Sequence, residues 1–128
     1  MMTPSTPTQD PGAATLAGIA RHWRVCDDTA SDIIAAARLP DVSLNGRARY
    51  RWRDIWRLEG EAWVHPADWA AFREPLLHPS DLPGRDPRKR KNRQWRRLVA
   101  SGRMPSIRLS AGVRRVRACV FDRVEPHV

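Results

Sequence analysis

The sequence predicts an α+β fold, mostly helical, in which two small units stand in tandem as a pseudo-dimer and each carries a short β-hairpin. Three observations predict it. Residues 36–55 and 101–121 share one phrase: Arg38-Leu39-Pro40 matches Arg103-Met104-Pro105, an alternating apolar pair follows, then a turn glycine (Gly46, Gly112) and an arginine-rich return segment. An internal repeat constrains architecture more than any single element does. Upstream of the first copy, apolar residues recur at helical spacing. Finally, 128 residues that are 41% hydrophobic, with tryptophans at 23, 52, 56, 63, 69 and 95, can bury a core, whereas two units of about 50 residues would each be marginal alone.

Residues 1–13 are rich in Pro, Thr and Ser without apolar periodicity and predict a flexible tail. The first unit spans 14–60. Thr15 suits the cap of a helix whose apolar positions Leu16, Ile19, Ala20 and Trp23 fall at i, i+3, i+4 and i+7. After a turn at Val25 and Cys26 the spacing restarts from Asp27, with Ala30, Ile33, Ile34 and Ala37, so two short helices form a helix-turn-helix. Pro40 stops the second helix. Val42 and Leu44 alternate as a half-buried strand, Asn45-Gly46 is a type I′ turn signal, and the return strand sets Tyr50 and Trp52 opposite Arg49, Arg51 and Arg53. Such a ribbon is a wing. Asp54 caps a last short helix ending near Gly60.

The second unit spans 61–128. Pro66 starts a helix through Trp69 and Phe72 that Pro75 ends, and 76–86, with its prolines, reads as loop. From about Pro87 a basic helix runs to Gly102, where the second wing begins. The stretch aligned with the first unit's opening helix contains Pro83 and Pro87, so the helix from Pro66 to Glu74 is expected to take the supporting role.

The run Ile19-Ala20 to Val25, Thr29, Ile33-Ile34, Leu39-Pro40, Gly46, Arg49-Tyr50-Arg51 and Asp54-Ile55 resembles the winged helix-turn-helix of phage excisionases and MerR-type regulators. The resemblance covers about residues 15–58. It implies duplex DNA as partner, Thr29 at the opening of a recognition helix, and arginines on a wing. The chain departs from the pattern at Ala37, where the family usually has Gly, and at Asp27-Asp28, where the recognition helix usually opens with Arg, Ser or Lys. Two acids there repel phosphate but suit a helix N-terminus, where they offset the macrodipole.

Charge sharpens the expectation. The net charge is +9, but residues 1–82 hold nine arginines against eleven acids, net −2, whereas 83–128 hold fourteen cations against three acids, net +11. So concentrated a field attracts polyanions, nucleic acid first. Arg88, Lys89, Arg90, Lys91, Arg93, Gln94, Arg96 and Arg97, on the basic helix, are the candidate groove-reading residues, with Arg93, Gln94 and Arg97 aimed at base edges. Arg47, Arg49 and Arg51 on the first wing, and Arg114, Arg115 and Arg117 on the second, are candidate phosphate or minor-groove contacts. A solvated charge run, or arginines that keep a sheet edge soluble, would produce the same residues without a ligand.

No phosphate-loop or nucleophile-elbow motif is present, so an enzyme is not expected. Cys26 and Cys119 stand far apart without a CxxC, and the His22/Cys26 spacing reads as packing, so no metal, cofactor or disulfide is expected. No apolar run reaches spanning length and no signal peptide is visible, which points to a cytoplasmic, nucleoid-associated protein with no membrane partner. The excisionase resemblance implies an architectural factor that gives DNA recombination its direction in a phage or other mobile genetic element. The MerR resemblance implies transcription regulation instead. A third reading is an adaptor for an integrase, recombinase or RNA polymerase; RNA binding and self-association on DNA also stay open.

Overall fold

Thr15 begins the ordered helical chain as its spacing predicts. The computed structural model describes residues 10–43 and 45–128; the rest of the predicted tail, residues 1–9, and Leu44 of the first predicted strand lie outside the described residues. The Thr15 hydroxyl accepts from the Gly18 amide at 3.0 Å and opens α1 (Leu16–Trp23), which buries Ile19, Ala20, His22 and Trp23. Arg24 turns left-handed at φ 57° to end it, and α2 (Asp27–Ala37) follows with Ala30, Ile33 and Ile34 buried against α1. The stop of α2 is Arg38, also left-handed at φ 53°, two residues before Pro40.

The first wing differs from expectation. Its return strand β2 (Tyr50–Arg51) pairs antiparallel with β1 (Ala13–Ala14), ahead of α1, while Val42 reaches Arg49 through one amide-to-carbonyl hydrogen bond of 2.8 Å. Residues 10–13 are therefore not free tail. The Trp52 amide donates to the Gly12 carbonyl at 3.0 Å, and the Arg73 guanidinium donates to the Pro11 carbonyl at 2.9 Å. Trp52 leaves the strand to open α3 (Trp52–Leu58), which buries Trp52, Ile55 and Trp56.

Pro66 starts a 3-10 turn (Pro66–Asp68) leading into α4 (Trp69–Arg73). The predicted loop at 76–86 is structured. Leu77 forms an antiparallel bridge with Val116, His78 accepts from the Ser80 amide at 3.1 Å, and a 3-10 turn (Pro79–Asp81) runs into α5 (Leu82–Arg85). Pro79 and Pro83 fit because each sits in the first turn of a short helical piece, where no intrahelical N–H is needed. α5 and its preceding turn lie against α6 (Asn92–Ala100), so this segment, and not the helix from Pro66, supports the basic helix. α4 lies instead against α7 (Ala118–Val124).

The second hairpin is regular: β3 (Ile107–Ser110) pairs with β4 (Val113–Arg115), with a bulge between Arg108 and Ser110. The two halves thus repeat an order of bridge residue, cap, short helix, second helix, return strand and closing helix. They do not keep separate interiors. Leu76 and Leu109 are buried with Trp23, Ile34 and Trp56 of the first half, and Ile107 and Val113 pack against the same group. A second cluster joins Leu82, Trp95, Val99, Met104, Val116 and Phe121. The result is an α+β chain, about half helical, with two two-stranded sheets among the described residues. No helix among them is long and apolar enough to cross a membrane.

Candidate nucleic-acid interface

The basic helix begins at Asn92, not Pro87, because Asp86 holds the chain before it in a turn. The Asp86 carboxylate accepts from the Arg88 and Arg90 amides, each at 2.9 Å, from the Arg90 guanidinium at 2.9 Å and from the Trp95 indole at 3.1 Å, while Lys89 adopts a left-handed φ of 54°. Burial pushes the Asp86 carboxyl up, but the hydrogen bonds from Arg90 and the Arg88 and Arg90 amides outweigh it and hold the group far below the usual carboxylate range. Two predicted DNA ligands are thereby committed to structure. Arg90 stacks over the Trp95 ring at 4.5 Å and pairs with Glu125 at 2.7 Å, and Arg88 pairs with Glu125 at 3.1 Å and donates to the Val128 carbonyl at 2.6 Å. Lys89 and Lys91 are exposed in the same turn.

Within α6, Trp95 and Val99 face inward and Arg93, Arg96, Arg97 and Ala100 form one exposed stripe at i, i+3, i+4 and i+7. No ion pair to Arg93, Arg96 or Arg97 occurs among the described residues. Gln94 is exposed, but its amide oxygen accepts from the Lys91 backbone at 3.0 Å and so helps cap the helix.

The hairpin sorts its arginines by strand alternation. Arg108 lies directly opposite Arg114, on the face away from Ile107 and Leu109. Like charges at cross-strand positions destabilise a hairpin, so this pair is suited to an anion between them. Arg108 was not among the residues singled out from sequence. The period-2 run Ile107, Leu109 was the signal that could have found it. Arg114 and Arg96, with Pro79, Val99 and Ala100, line one cleft of about 290 Å³, so the α6 stripe and the hairpin form one cationic surface.

Arg115 and Arg117, read from sequence as wing contacts, belong to the interior. Adjacent strand residues point to opposite faces. With Arg114 outward, Arg115 turns inward, donating to the Trp23 carbonyl at 2.9 Å and the Arg24 carbonyl at 3.0 Å beyond the end of α1. Its burial lowers the guanidinium pKa. Arg117 donates to Glu59 at 2.6 Å and lies over the Phe72 ring at 4.2 Å. Glu59 also accepts from the His22 imidazole at 2.7 Å and the Trp23 indole at 2.8 Å. Burial raises the Glu59 carboxyl, and the His22 hydrogen bond together with the charges of His22 and Arg117 more than offsets it, leaving the group below its ordinary value.

The first half presents different chemistry. Ala30 and Ile34 of α2 occupy the inward positions that Trp95 and Val99 take in α6, so Asp28, Ser31, Asp32 and Ala35 stand where α6 has Arg93, Arg96, Arg97 and Ala100. Thr29 is half-buried in the first turn of α2, its hydroxyl 3.1 Å from Cys26 Sγ. That contact lowers the Cys26 thiol pKa. On the first wing Arg47 and Arg51 are exposed, whereas Arg49 is half-buried, its amide donating to Asp41 at 3.2 Å. Among the described residues no group of three or more His, Cys, Asp or Glu could hold a metal ion. Comparisons with protein-family models, curated proteins and solved structures find no match to this chain.

Proposed function

We propose that the chain is a sequence-specific, non-enzymatic binder of double-stranded DNA, built as a tandem pair of winged helix-turn-helix units, with α6 as the groove-reading helix and the β3–β4 hairpin as its wing. The observation that carries this reading is one cleft lined by Arg96 of the exposed α6 stripe and Arg114 of the hairpin, with Arg108 opposite Arg114. A helix lying in a major groove with a cationic ribbon on the adjacent backbone needs that juxtaposition. Arg93 and Arg97 are assigned to base edges, Arg96, Arg108, Arg114, Lys89 and Lys91 to phosphates. The first unit contributes Arg47 and Arg51 at most, because the outward face of α2 is acidic.

The resemblance to excisionases extends the proposal to an architectural role in excisive recombination; a promoter-binding regulator is the alternative within the same class. Footprinting separates them: tandem sites beside an integrase core support the first, overlap with a promoter the second. The acidic face of α2 favours, as a second reading, a unit 1 that meets a protein such as an integrase or polymerase.

The decisive experiment is binding to the DNA flanking the chain's own gene at physiological salt. Preference over random DNA of at least roughly a hundredfold is expected. With about five to seven phosphates neutralised, log affinity should fall against log salt with a slope of about −4.5 to −6.3. Arg97→Glu should abolish the preference. A smaller preference, or an Arg97→Glu variant that binds as the wild type does, sinks the proposal.

A further inference from the structure

The cleft of about 290 Å³ that α6 shares with the β3–β4 hairpin combines two chemistries. Arg96 and Arg114 supply its cations, and among the described residues neither has an ion pair; the Arg114 guanidinium reaches the Ser106 hydroxyl at 3.5 Å, the outer limit of a hydrogen bond. No acid lines the cleft. The rest of its wall is Pro79, Val99 and Ala100, whose side chains carry neither donor nor acceptor. Two of their carbonyls are already taken, that of Pro79 by the Leu82 amide and that of Val99 by the Gly102 amide at 3.1 Å. Val99 is buried in the cluster of Trp95 and Met104, which fixes this wall, while Ala100 is exposed at its edge. A lone inorganic anion would use the guanidiniums and leave the hydrocarbon uncovered. A ligand that covers both must carry anionic groups on either side of an apolar centre.

Resting on the DNA reading above, we infer that this cleft seats one deoxyribose, with the phosphates flanking that sugar at Arg96 and Arg114, and that Pro79, Val99 and Ala100 select deoxyribose over ribose at that nucleotide. Phosphate and sugar contacts set the register of a protein on a duplex. The 2′-hydroxyl is the group by which a protein tells RNA from DNA at a given site. Against the C2′ methylene the apolar wall is a van der Waals partner. Against a 2′-hydroxyl the same side chains take the place of water and return no hydrogen bond, and a hydroxyl left unpaired in this way weakens binding by roughly tenfold. The discrimination is local. Arg93 and Arg97, assigned to base edges, do not line the cleft, so a ribose elsewhere in the duplex escapes the penalty.

Single ribonucleotides walked along each strand of the duplex from beside the chain's own gene, bound to the full chain, test it. Affinity should drop about tenfold at one position and hold at its neighbours. A 2′-fluoro sugar at that position, which shares the pucker of ribose but lacks its hydroxyl, should bind as deoxyribose does. Ala100→Ser, which places a hydroxyl at the exposed edge of the cleft, should bring the ratio of deoxyribose to ribose affinity at that position towards one. Uniform tolerance of ribose, an equal loss with the fluoro sugar, or a ratio unmoved by Ala100→Ser would overturn the inference while the DNA reading stands. An RNA duplex of the same sequence that binds as tightly as DNA would overturn it as well. Absence of any preference for the flanking duplex over random DNA is a separate outcome, which fells the DNA reading and this inference with it.

Discussion

Glu59 is 6% exposed and ionised, with donors from His22, Trp23 and Arg117 converging on its two oxygens. A buried charge is tolerable when every lone pair has a partner, and removing one partner is strongly destabilising. Because the folded-state pKa lies below the ordinary 4.5, the contribution of Glu59 is fully present above about pH 4.5 and is lost as pH falls through the depressed value. Urea unfolding between pH 7 and pH 3 should therefore show stability declining on the acid side. Glu59→Gln should be less stable by about 3 kcal/mol at pH 7 and should decline less steeply below pH 5. An unchanged acid slope in the variant would place the titration elsewhere. At this scale the chemistry of the wing was legible but not its facing. Arg114, Arg115 and Arg117 look alike in a string, and only the pairing of Arg108 with Arg114, together with acceptors at Trp23, Arg24 and Glu59 far away in sequence, divides them into outward and inward groups.

Among the elements, α6 depends on the turn in front of it. Asp86 satisfies two backbone amides, a guanidinium and a buried indole, so its side chain sets where the helix starts and anchors Trp95 beneath the arginine stripe. Asp86→Ala leaves the Trp95 indole without its acceptor and Arg90 short of a partner. It should lower stability by about 3 kcal/mol and speed hydrogen exchange at the first α6 amides, as read by mass spectrometry; protection equal to wild type would remove Asp86 from this role. The periodic helices α1 and α2 were legible because their apolar spacing is local. The α5 segment was not, since two prolines mask it. Its helicity rests on proline positions within the first turn, on the His78 cap and on burial of Leu82, and the last of these is a tertiary fact. The first wing misled for a related reason: its return strand pairs with residues ahead of α1, a non-local choice that Asn45-Gly46 does not reveal.

In the whole molecule the boundary near residue 60 divides the sequence but not the interior. Leu76 and Leu109 enter the core of the first half, Arg115 binds carbonyls at the end of α1, and Arg117 completes the site of Glu59. Fragments 1–60 and 61–128 should each remain unfolded by circular dichroism, and the full chain should unfold in urea with coincident tryptophan-fluorescence and circular-dichroism transitions. Two resolved transitions, or a folded fragment, would show separable units. The repeat announced two copies and the charge asymmetry announced unequal copies; their fusion rests on buried polar contacts that no local pattern encodes.

The Leu76 amide, at the end of the link between the halves, donates to the His22 carbonyl of α1 at 2.8 Å, where a tethered pair of modules would keep its slack. A flexible tether sets an effective concentration and forgives the distance between two binding sites. This chain has none to give. Under the proposed DNA reading, two halves that meet one duplex must meet it in one fixed helical phase, so half a turn of added DNA, about 5 base pairs, is expected to put the second contact on the wrong side.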